Sequence, residues 1–429
     1  MLYENWLHNG SLNIKAIHCK PLKGNIVSEC LVIGGGIAGL HAALRLVDAG
    51  KKVVLLEKII CGGSSSGQSG GFLSPESEED MNDLIERYDK EKAKIVYGAP
   101  ARGMSLIINN IRTYNFNCDF RVQDSLLISI KKSHDKRIFE EAEAKKSQNL
   151  PYKILKENEI KKVHPGKNYG LAMRYPNRYG INSFAYCQEM KNLLIKKGVK
   201  IYEGSEVQKI IGNTAKTHLG SIKAENIIVC VDKMKKELNE NFSKKYYHIQ
   251  TYIAVSEPLS DKEMKTLFPK GELMCWDTRW DYIYYRPVNE NRLLVGGSSA
   301  GTAYMSEPSY SPKVVNKFVD NLKENFPIIK NLEFTNYWSG MIDATKDLVP
   351  IADYDSKNKS IQYSMGCVGL SWAAYCGDYL ARRITDKRNT EDMTEFLGAN
   401  RKFFISDGLQ KILGKKISFF ISHLKNFLG

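Results

Sequence analysis

Residues 30–57 constrain this chain more than any other stretch, because they spell a complete βαβ unit. Cys30-Leu-Val-Ile33 is a short apolar run of the kind that forms a buried strand, and Gly34-Gly35-Gly36-Ile37-Ala38-Gly39 follows it directly. Leu40, Ala43, Leu44, Leu46 and Val47 then recur at near-helical spacing, and Gly50 marks a stop. Lys52-Val-Val-Leu-Leu56 predicts a second strand that ends at Glu57. In such a unit Gly34 makes the tight turn, Gly36 admits a pyrophosphate to the backbone, and Gly39 lets helix and strand pack closely. The helix N-terminus offers free N–H groups and the positive end of a dipole to phosphate. Glu57, 18 residues after Gly39, stands where a carboxylate accepts hydrogen bonds from an adenosine ribose. Its charge would repel a 2′-phosphate, which argues against NADP. By itself the unit suits FAD and NAD alike.

The next stretch bears on that choice. Cys61-Gly-Gly-Ser-Ser-Ser-Gly-Gln-Ser-Gly-Gly71 is richer in Gly and Ser than a connector needs. A loop of this composition either brings backbone N–H groups and hydroxyls up to a flavin and its phosphates, or is a flexible linker. No second GxGxxG follows a strand. Gly296-Gly297-Ser298 comes after apolar Leu293-Leu-Val295, but its spacing reads as a strand end and turn. One dinucleotide site argues against enzymes that pass electrons between NAD(P)H and flavin through two such domains.

The 429 residues, 43% of them hydrophobic, exceed what one simple core needs and fit two intertwined domains. The net charge of +14 fits nucleic acid, an anionic membrane, acidic substrates or a simple Lys bias. No RNA-binding module or concentrated Lys/Arg stripe accompanies the nucleotide unit, so no nucleic-acid partner is expected. Nine dispersed cysteines without a Cys-x-x-Cys pair argue against a disulfide framework, and no metal-ligand spacing occurs among the eight histidines, so no metal is expected. The start, Met1-Leu-Tyr-Glu-Asn-Trp6, lacks the build of a signal peptide, and no apolar run is long enough to span a bilayer, which leads to a cytoplasmic expectation.

Four blocks together resemble a known group: Leu31–Leu40, Gly63–Gly71, Trp338-Ser-Gly-Met-Ile-Asp-Ala-Thr-Lys-Asp347 with Pro350, and Met365-Gly-Cys-Val-Gly-Leu-Ser371 with Gly377. Their order and spacing resemble the FAD-dependent glycine/D-amino-acid oxidase (DAO) superfamily and, within it, gamma-glutamylputrescine oxidoreductase-like amine oxidases, over about residues 25–400. The resemblance implies that Gly34, Gly36, Ile37, Ala38 and Gly39 hold the FAD pyrophosphate, and that Glu57 and Lys58 lie at the adenosine ribose. It implies that Ser65, Ser66, Ser69, Gly70 and Gly71 line the flavin-ribityl side, and that Val207 meets the adenine through its backbone. Gly340, Gly366, Val368, Gly369, Leu370 and Ser371 would close around the isoalloxazine ring. The helix expected after Ser371 would point its N-terminus at the reduced flavin.

The departures concern substrate. Where the family carries an arginine that grips a substrate carboxylate, this chain has Gly340-Met-Ile-Asp343, so an α-amino acid held in that way is doubtful. Asp343 then either favours a cationic amine or supports the turn before Thr345. The family's Gly-His is Leu370-Ser371 here, and Cys367 does not match the position that carries covalent flavin in sarcosine oxidases, so non-covalent FAD is expected.

The remaining segments predict a substrate domain. Residues 91–179 read as mostly polar and helix-like, with Glu91–Lys94 and Glu140–Lys146 as solvated charge runs. Strand alternation appears at Tyr247–Val255, Tyr282–Arg286 and Arg292–Gly296, with a turn at Asn289-Glu-Asn291. The run Trp276–Arg286 combines aromatic rings with a few charges, as an amine pocket needs. Tyr285 and Arg286 match the related oxidases' Tyr-Arg pair and, with Asp343, are the candidate catalytic residues. The competing reading packs Tyr285 and gives Arg286 a structural ion pair. His248 lies on a candidate pocket strand, where packing is the alternative.

These elements predict an α/β chain (α+β overall), a Rossmann-like FAD-binding domain interleaved with a mixed-sheet substrate domain and followed by a helical tail. The expected parts are an arm (1–24), FAD segments (25–90, 180–240 and 338–398), substrate segments (91–179 and 241–337) and a basic amphipathic tail (399–429). Within the tail, residues 403–428 alternate Leu409, Ile412, Leu413, Ile417, Phe420, Ile421, Leu424, Phe427 and Leu428 with Lys411, Lys415, Lys416 and Lys425. That pattern suits a helix packed on the protein's own surface or a peripheral contact with anionic membrane. The expected reaction is oxidation of an amine or amino acid, with oxygen or another acceptor taking the electrons. The alternatives are a dehydrogenase serving a quinone or protein partner, and a non-catalytic flavin-binding protein.

Overall fold

The structure, a computed structural model, describes residues 3–4, 17–76, 79–167, 169–279, 283–298, 311–403 and 405–422. The nucleotide unit folds as β2 (Gly24–Ile33), α1 (Ile37–Asp48) and β3 (Val53–Leu56). Strand β2 lies parallel between β3 and β13 (Gly220–Val229), with Cys30 opposite Val53 on one side and Asn226 on the other. Its unbroken apolar run has a physical reason, since both faces of this sheet are covered. Cys30, Val32, Val53 and Leu55 pack under α1, α6 (Ser183–Lys196) and α9 (Leu370–Thr385), whereas Leu31, Ile33, Val54 and Leu56 join Val207, Ala215 and Ile222 behind. Leu40 and Leu46 of α1 are fully buried, each worth roughly 2 kcal/mol of apolar burial.

This sheet runs β10 (Lys200–Tyr202), β3, β2, β13, β12 (Thr214–Lys216), β11 (Lys209–Ile211); β20 (Ile361–Met365) also pairs with β13, and β19 (Ile351–Tyr354) with β20. Among the described residues the second sheet has nine strands. They run β1 (Tyr3–Glu4), β18 (Phe334–Thr345), β14 (Tyr246–Ser256), β17 (Arg292–Gly297), β16 (Tyr284–Val288), β15 (Leu273–Asp277), β6 (Asp124–Ile128), β8 (Ala172–Tyr175) and β7 (Lys153–Leu155). Its spine is the antiparallel pair β14–β18, in register from Tyr246 opposite Thr345 to Val255 opposite Asn336. The β16–β17 hairpin turns through Asn289-Glu-Asn291, as the sequence predicts, with Glu290 and Asn291 at φ of 57° and 53°. A separate small sheet consists of β4 (Phe72–Leu73), β9 (Tyr179–Gly180) and β5 (Arg121–Val122). Helix α2 (Met81–Tyr88) packs on α3 (Lys90–Tyr114) and α4 (Asp135–Ser147), α3 also on α9, and α4 on β8. Helix α8 (Pro312–Asn325) backs the large sheet, with the short α5 (Glu157–Val163), α7 (Asp261–Leu267) and α10 (Thr394–Leu397) at the margins.

The mixed α/β architecture is the expected one, with four differences. Residues 91–179 carry helices α3, α4 and α5 as expected, but they also hold strands, because Leu126-Leu-Ile128 forms the buried β6 and draws β7 and β8 into the large sheet. The run 140–146 is not wholly solvated, since Glu141 and Lys145 are buried on the inner face of α4. Strand β18 passes without interruption through position 338, where the sequence suggests a boundary. In the tail, α11 (Asp407–Ser422) breaks its helical path at Gly414 (φ 78°), so one continuous amphipathic face does not form. Leu424, Lys425, Phe427 and Leu428 lie outside the described residues. Among the described residues no helix is long and apolar enough to cross a membrane.

Candidate active site

The site begins where β2 ends. Gly34 has φ +106°, and a Cβ there would stand 2.1 Å from the Cys230 carbonyl oxygen. Only glycine allows that turn and that contact with the end of β13. Helix α1 then starts at Gly36 with no side-chain cap of its own and no acidic residue in its first turn. Its Ile37 N–H donates to Ser66 Oγ at 3.1 Å, which draws the Gly-Ser loop over the helix N-terminus. Glu57 closes the same turn, accepting from Gly35 N–H at 2.7 Å and Ile59 N–H at 2.9 Å. Desolvation in the cleft raises its carboxyl above the usual range, against the pull of those N–H groups.

The loop 61–71 is no flexible linker. Gln188 Nε2 donates to Cys61 O (2.6 Å), Ser65 Oγ to Met341 O (3.1 Å), Trp338 Nε1 to Gln68 O (2.9 Å) and Arg286 Nε to Gly70 O (2.7 Å). Distant parts of the chain therefore fix a segment with little stiffness of its own.

A cavity of about 650 Å³ runs along these elements and across both sheets. That volume lies in the range of cofactor and substrate sites. Gly34, Gly36, Ala38, Glu57, Lys58 and Val207 line one end. Ser65, Ser66, Ser69 and Gly70 line the middle, facing Gly340 and Val368-Gly-Leu370. Five expected residues stand behind the wall instead. Ile37 and Gly39 belong to the inner side of α1, and Gly71 is held by Ser69 Oγ at 3.2 Å. Gly366 packs against Thr345, and the Ser371 carbonyl lies against Gly103 of α3.

All three candidate catalytic residues are diverted. On β16 the side chains alternate, so Tyr284 faces the cavity while Tyr285 points into the core behind the sheet. There His164 Nδ1 donates to Leu267 O at 2.8 Å, which leaves Nε2 to accept from the Tyr285 hydroxyl at 2.6 Å; Tyr169 OH lies 3.1 Å from the same oxygen. Burial holds the His164 imidazole down at about 4, neutral at ordinary pH. Arg286 is buried and forms no ion pair among the described residues. Besides Gly70 O it donates to Ile181 O (2.6 Å), Pro287 O (3.2 Å) and Gln123 Oε1 (3.3 Å). On β18, Gly340 and Ile342 face the cavity, so Asp343 faces away, accepting from Lys233 N–H and lying 2.8 Å from His248 Nδ1. His248 is thereby a partner of Asp343. Trp280, Asp281 and Tyr282 lie outside the described residues.

Other residues furnish the wall. Phe72 meets Tyr284 at 5.5 Å and Trp276 at 6.4 Å between ring centroids, and Trp276 stacks on Tyr175 at 5.7 Å. Asp277 pairs with Arg279, whose Nη1 also donates to Asn321 at 3.0 Å; Asp80 accepts from Arg137 Nε at 2.7 Å. Glu76 is surrounded by donors, namely Lys145 Nζ (2.8 Å), Tyr97 OH (2.7 Å), Arg178 and Ser74. Burial would raise its carboxyl, but Lys145 and Arg178 outweigh that and hold it well below the usual range. Across the cavity Asp232 is walled by protein but open to the cleft. Desolvation and the neighbouring Asp343 raise it to about 6, against Ser65, Lys233 and His248. Sequence reasoning misses Phe72, Glu76, Asp80, Arg137 and Asp232, because no local motif marks them. Only the position of Phe72 directly after Gly70-Gly71 was a usable signal.

Known proteins resemble this chain in sequence and in fold. Residues 29–383 match the family described as DAO, FAD dependent oxidoreductase. The chain is 26% identical over 392 residues to a probable oxidoreductase OrdL of Haemophilus influenzae, covering 89% of this chain and 86% of that protein. It is 27% identical over 361 residues to gamma-glutamylputrescine oxidoreductase of Escherichia coli, covering 81% of each. In fold it is similar to glycine oxidase from Geobacillus kaustophilus, with a TM-score of 0.76 at 16% identity over 88% of this chain and 100% of that one. It is likewise similar to L-proline dehydrogenase from P. horikoshii, with a TM-score of 0.73 at 18% identity over 88% and 98%. The chain belongs to the DAO family of FAD-dependent oxidoreductases, enzymes that act on amines or amino acids.

Proposed function

We propose that this is a cytoplasmic enzyme that holds FAD non-covalently in the cavity and oxidises the C–N bond of a small-molecule amine. When bound, FAD supplies a hydride acceptor at N5, and the oxidised substrate is an imine that hydrolyses in water. The observation that carries the reading is one continuous cavity from the N-terminus of α1 to the aromatic wall. The helix N-terminus, whose N-cap Gly36 brings no side chain, suits a pyrophosphate, Glu57 an adenosine ribose, and the gap between Gly340 and Val368-Gly-Leu370 a flat ring. The faces of Phe72, Trp276 and Tyr284 attract an approaching cation and exclude water at the reacting carbon. With Tyr285, Arg286 and Asp343 engaged elsewhere, the protein's part is to position the substrate, whose ammonium form gives one proton to solvent before the neutral amine delivers hydride. The lack of arginine at 340–343 and the substrate named in gamma-glutamylputrescine oxidoreductase of Escherichia coli favour an amine over an α-amino acid. Cys367 does not match the position that carries covalent flavin in sarcosine oxidases, which supports non-covalent binding.

The test is the visible spectrum of the purified protein, anaerobic bleaching by a panel of amines and amino acids, and release of the flavin by acid. Peroxide formed under air identifies oxygen as the acceptor; its absence points to a quinone or protein partner. A colourless protein that takes up no FAD refutes the reading, and a yellow protein that no amine bleaches favours flavin binding without catalysis.

The tail supports a second feature, peripheral contact with anionic membrane. Leu409, Ile412 and Ile417 are 41%, 82% and 52% exposed, and Lys411 is exposed beside them. Deleting 411–429 spares Gln410, whose Oε1 accepts from Tyr247 OH at 2.7 Å. Unchanged partition of that variant onto anionic liposomes ends the idea.

A further inference from the structure

Resting on the amine-oxidation reading, we propose that Arg137 selects the substrate by binding a carboxylate at the end remote from the oxidised amine. β18 carries no arginine at 340–343, yet α4 brings one to the same cavity. The other cations of this region are committed, Arg279 to Asp277 and Asn321, and Lys145 and Arg178 to Glu76. Arg137 spends only its Nε, on Asp80. Its two Nη groups make no hydrogen bond among the described residues, with Asp83 as a second carboxylate nearby, and its side chain is 47% exposed, so it can be reached from solvent. A guanidinium held at Nε presents those two groups as a ready fork for a carboxylate.

The position sets the shape of the ligand. Gly70 of the Gly-Ser loop touches the edge of Tyr284, and the rings continue through Phe72 to Trp276, which stacks on Tyr175. Arg137 and the Tyr175 hydroxyl lie close enough to interact electrostatically. Arg137 thus stands at the far end of an apolar wall whose near end is the loop beside the expected flavin. A molecule stretched along this wall has its amine at Gly70 and Gly340, an aliphatic spacer over the rings, and its anion at Arg137. An α-amino acid, with one carbon between amine and carboxylate, cannot reach both ends.

The experiment compares ε-aminocaproate with n-hexylamine, which share a chain length and differ in the terminal anion. Anaerobic flavin reduction by each is followed in the holoenzyme and in its Arg137→Met and Arg137→Lys variants. In Arg137→Met the preference for the acid over the uncharged amine falls roughly 10- to 100-fold, chiefly through substrate affinity, and Arg137→Lys recovers part of it. Glutarate, which cannot be oxidised, perturbs the wild-type flavin spectrum on binding and loses that effect in Arg137→Met. Equal losses on both amines, an unchanged preference, or glutarate binding that ignores Arg137 overturns the proposal. If neither amine bleaches the wild type while glutarate still depends on Arg137, amine oxidation is refuted and the anion site stands.

Discussion

Arg286 gives the sharpest test of how this site is built. The residue is 1% exposed, and its guanidinium donates to Gly70 O and Ile181 O at 2.7 and 2.6 Å, with longer bonds to Pro287 O and Gln123 Oε1. Methionine fills much of the same space without a donor. Gln123 Nε2 still serves Pro287 O, and Glu272 still engages Gln123, so the uncompensated loss falls on Gly70 O and Ile181 O. Two buried carbonyls without partners cost about 2 kcal/mol each. Burial presses the Arg286 guanidinium down to about 10, so removing the charge returns part of that cost. The net expectation for Arg286→Met is about 2 kcal/mol of lost stability. Because Gly70 belongs to the loop over the cavity, FAD affinity should fall about 10-fold as well. Thermal melts with and without added FAD and a fluorescence titration of the apoprotein measure both quantities. Arg286→Lys, which keeps one donor, should lie between. A methionine variant that melts with the wild type and binds FAD as tightly, yet oxidises no amine, would refute the reasoning and return Arg286 to catalysis.

Three further outcomes follow from the same geometry. Glu57→Ala removes the carboxylate at the ribose end of the cavity and should weaken FAD binding roughly 10- to 100-fold by titration; undiminished affinity contradicts that role. Tyr285→Phe leaves His164 Nε2 unpaired in the core, so denaturant melts should show a loss of about 1–2 kcal/mol while the flavin-reduction rate holds. Burial works against the charge of Glu391, but Arg382 and Tyr375 outweigh it and hold the carboxyl down at about 2. A depressed carboxyl stabilises above its unfolded value and loses that contribution as pH falls through its folded value. Glu391→Gln should therefore be less stable than wild type at neutral pH, with the gap closing from about 4.5 towards about 2. A gap that widens in acid would overturn this.

The parts legible in the sequence are those whose physics is local. Gly34 to Glu57 are read correctly because turn, helix start and strand end all follow from neighbours a few residues away. The hairpin at Asn289-Glu-Asn291 is legible for the same reason. Facing is not, where both sides of a strand are covered. Nothing in Tyr284-Tyr285-Arg286 says which tyrosine meets the cavity, since Phe72 awaits one and His164 the other. The charge run on α4 looks solvated until Glu76 arrives from 69 residues earlier to pair with Lys145. Arg137 and Asp232 reach the cavity only through tertiary packing, which leaves no periodicity to read.

The placement of β2 between β3 and β13 has a consequence for biosynthesis. Its partner at Asn226 leaves the ribosome nearly 200 residues after Cys30. At ordinary elongation rates that is a wait of roughly 10–40 s, during which an apolar strand has only one neighbour. The intervening chain supplies helices and the first strands of the other sheet, and neither sheet can be finished while it emerges. The newborn chain therefore passes through a long interval with an open, aggregation-prone strand edge, and shielding by a chaperone during synthesis should raise its yield of soluble protein.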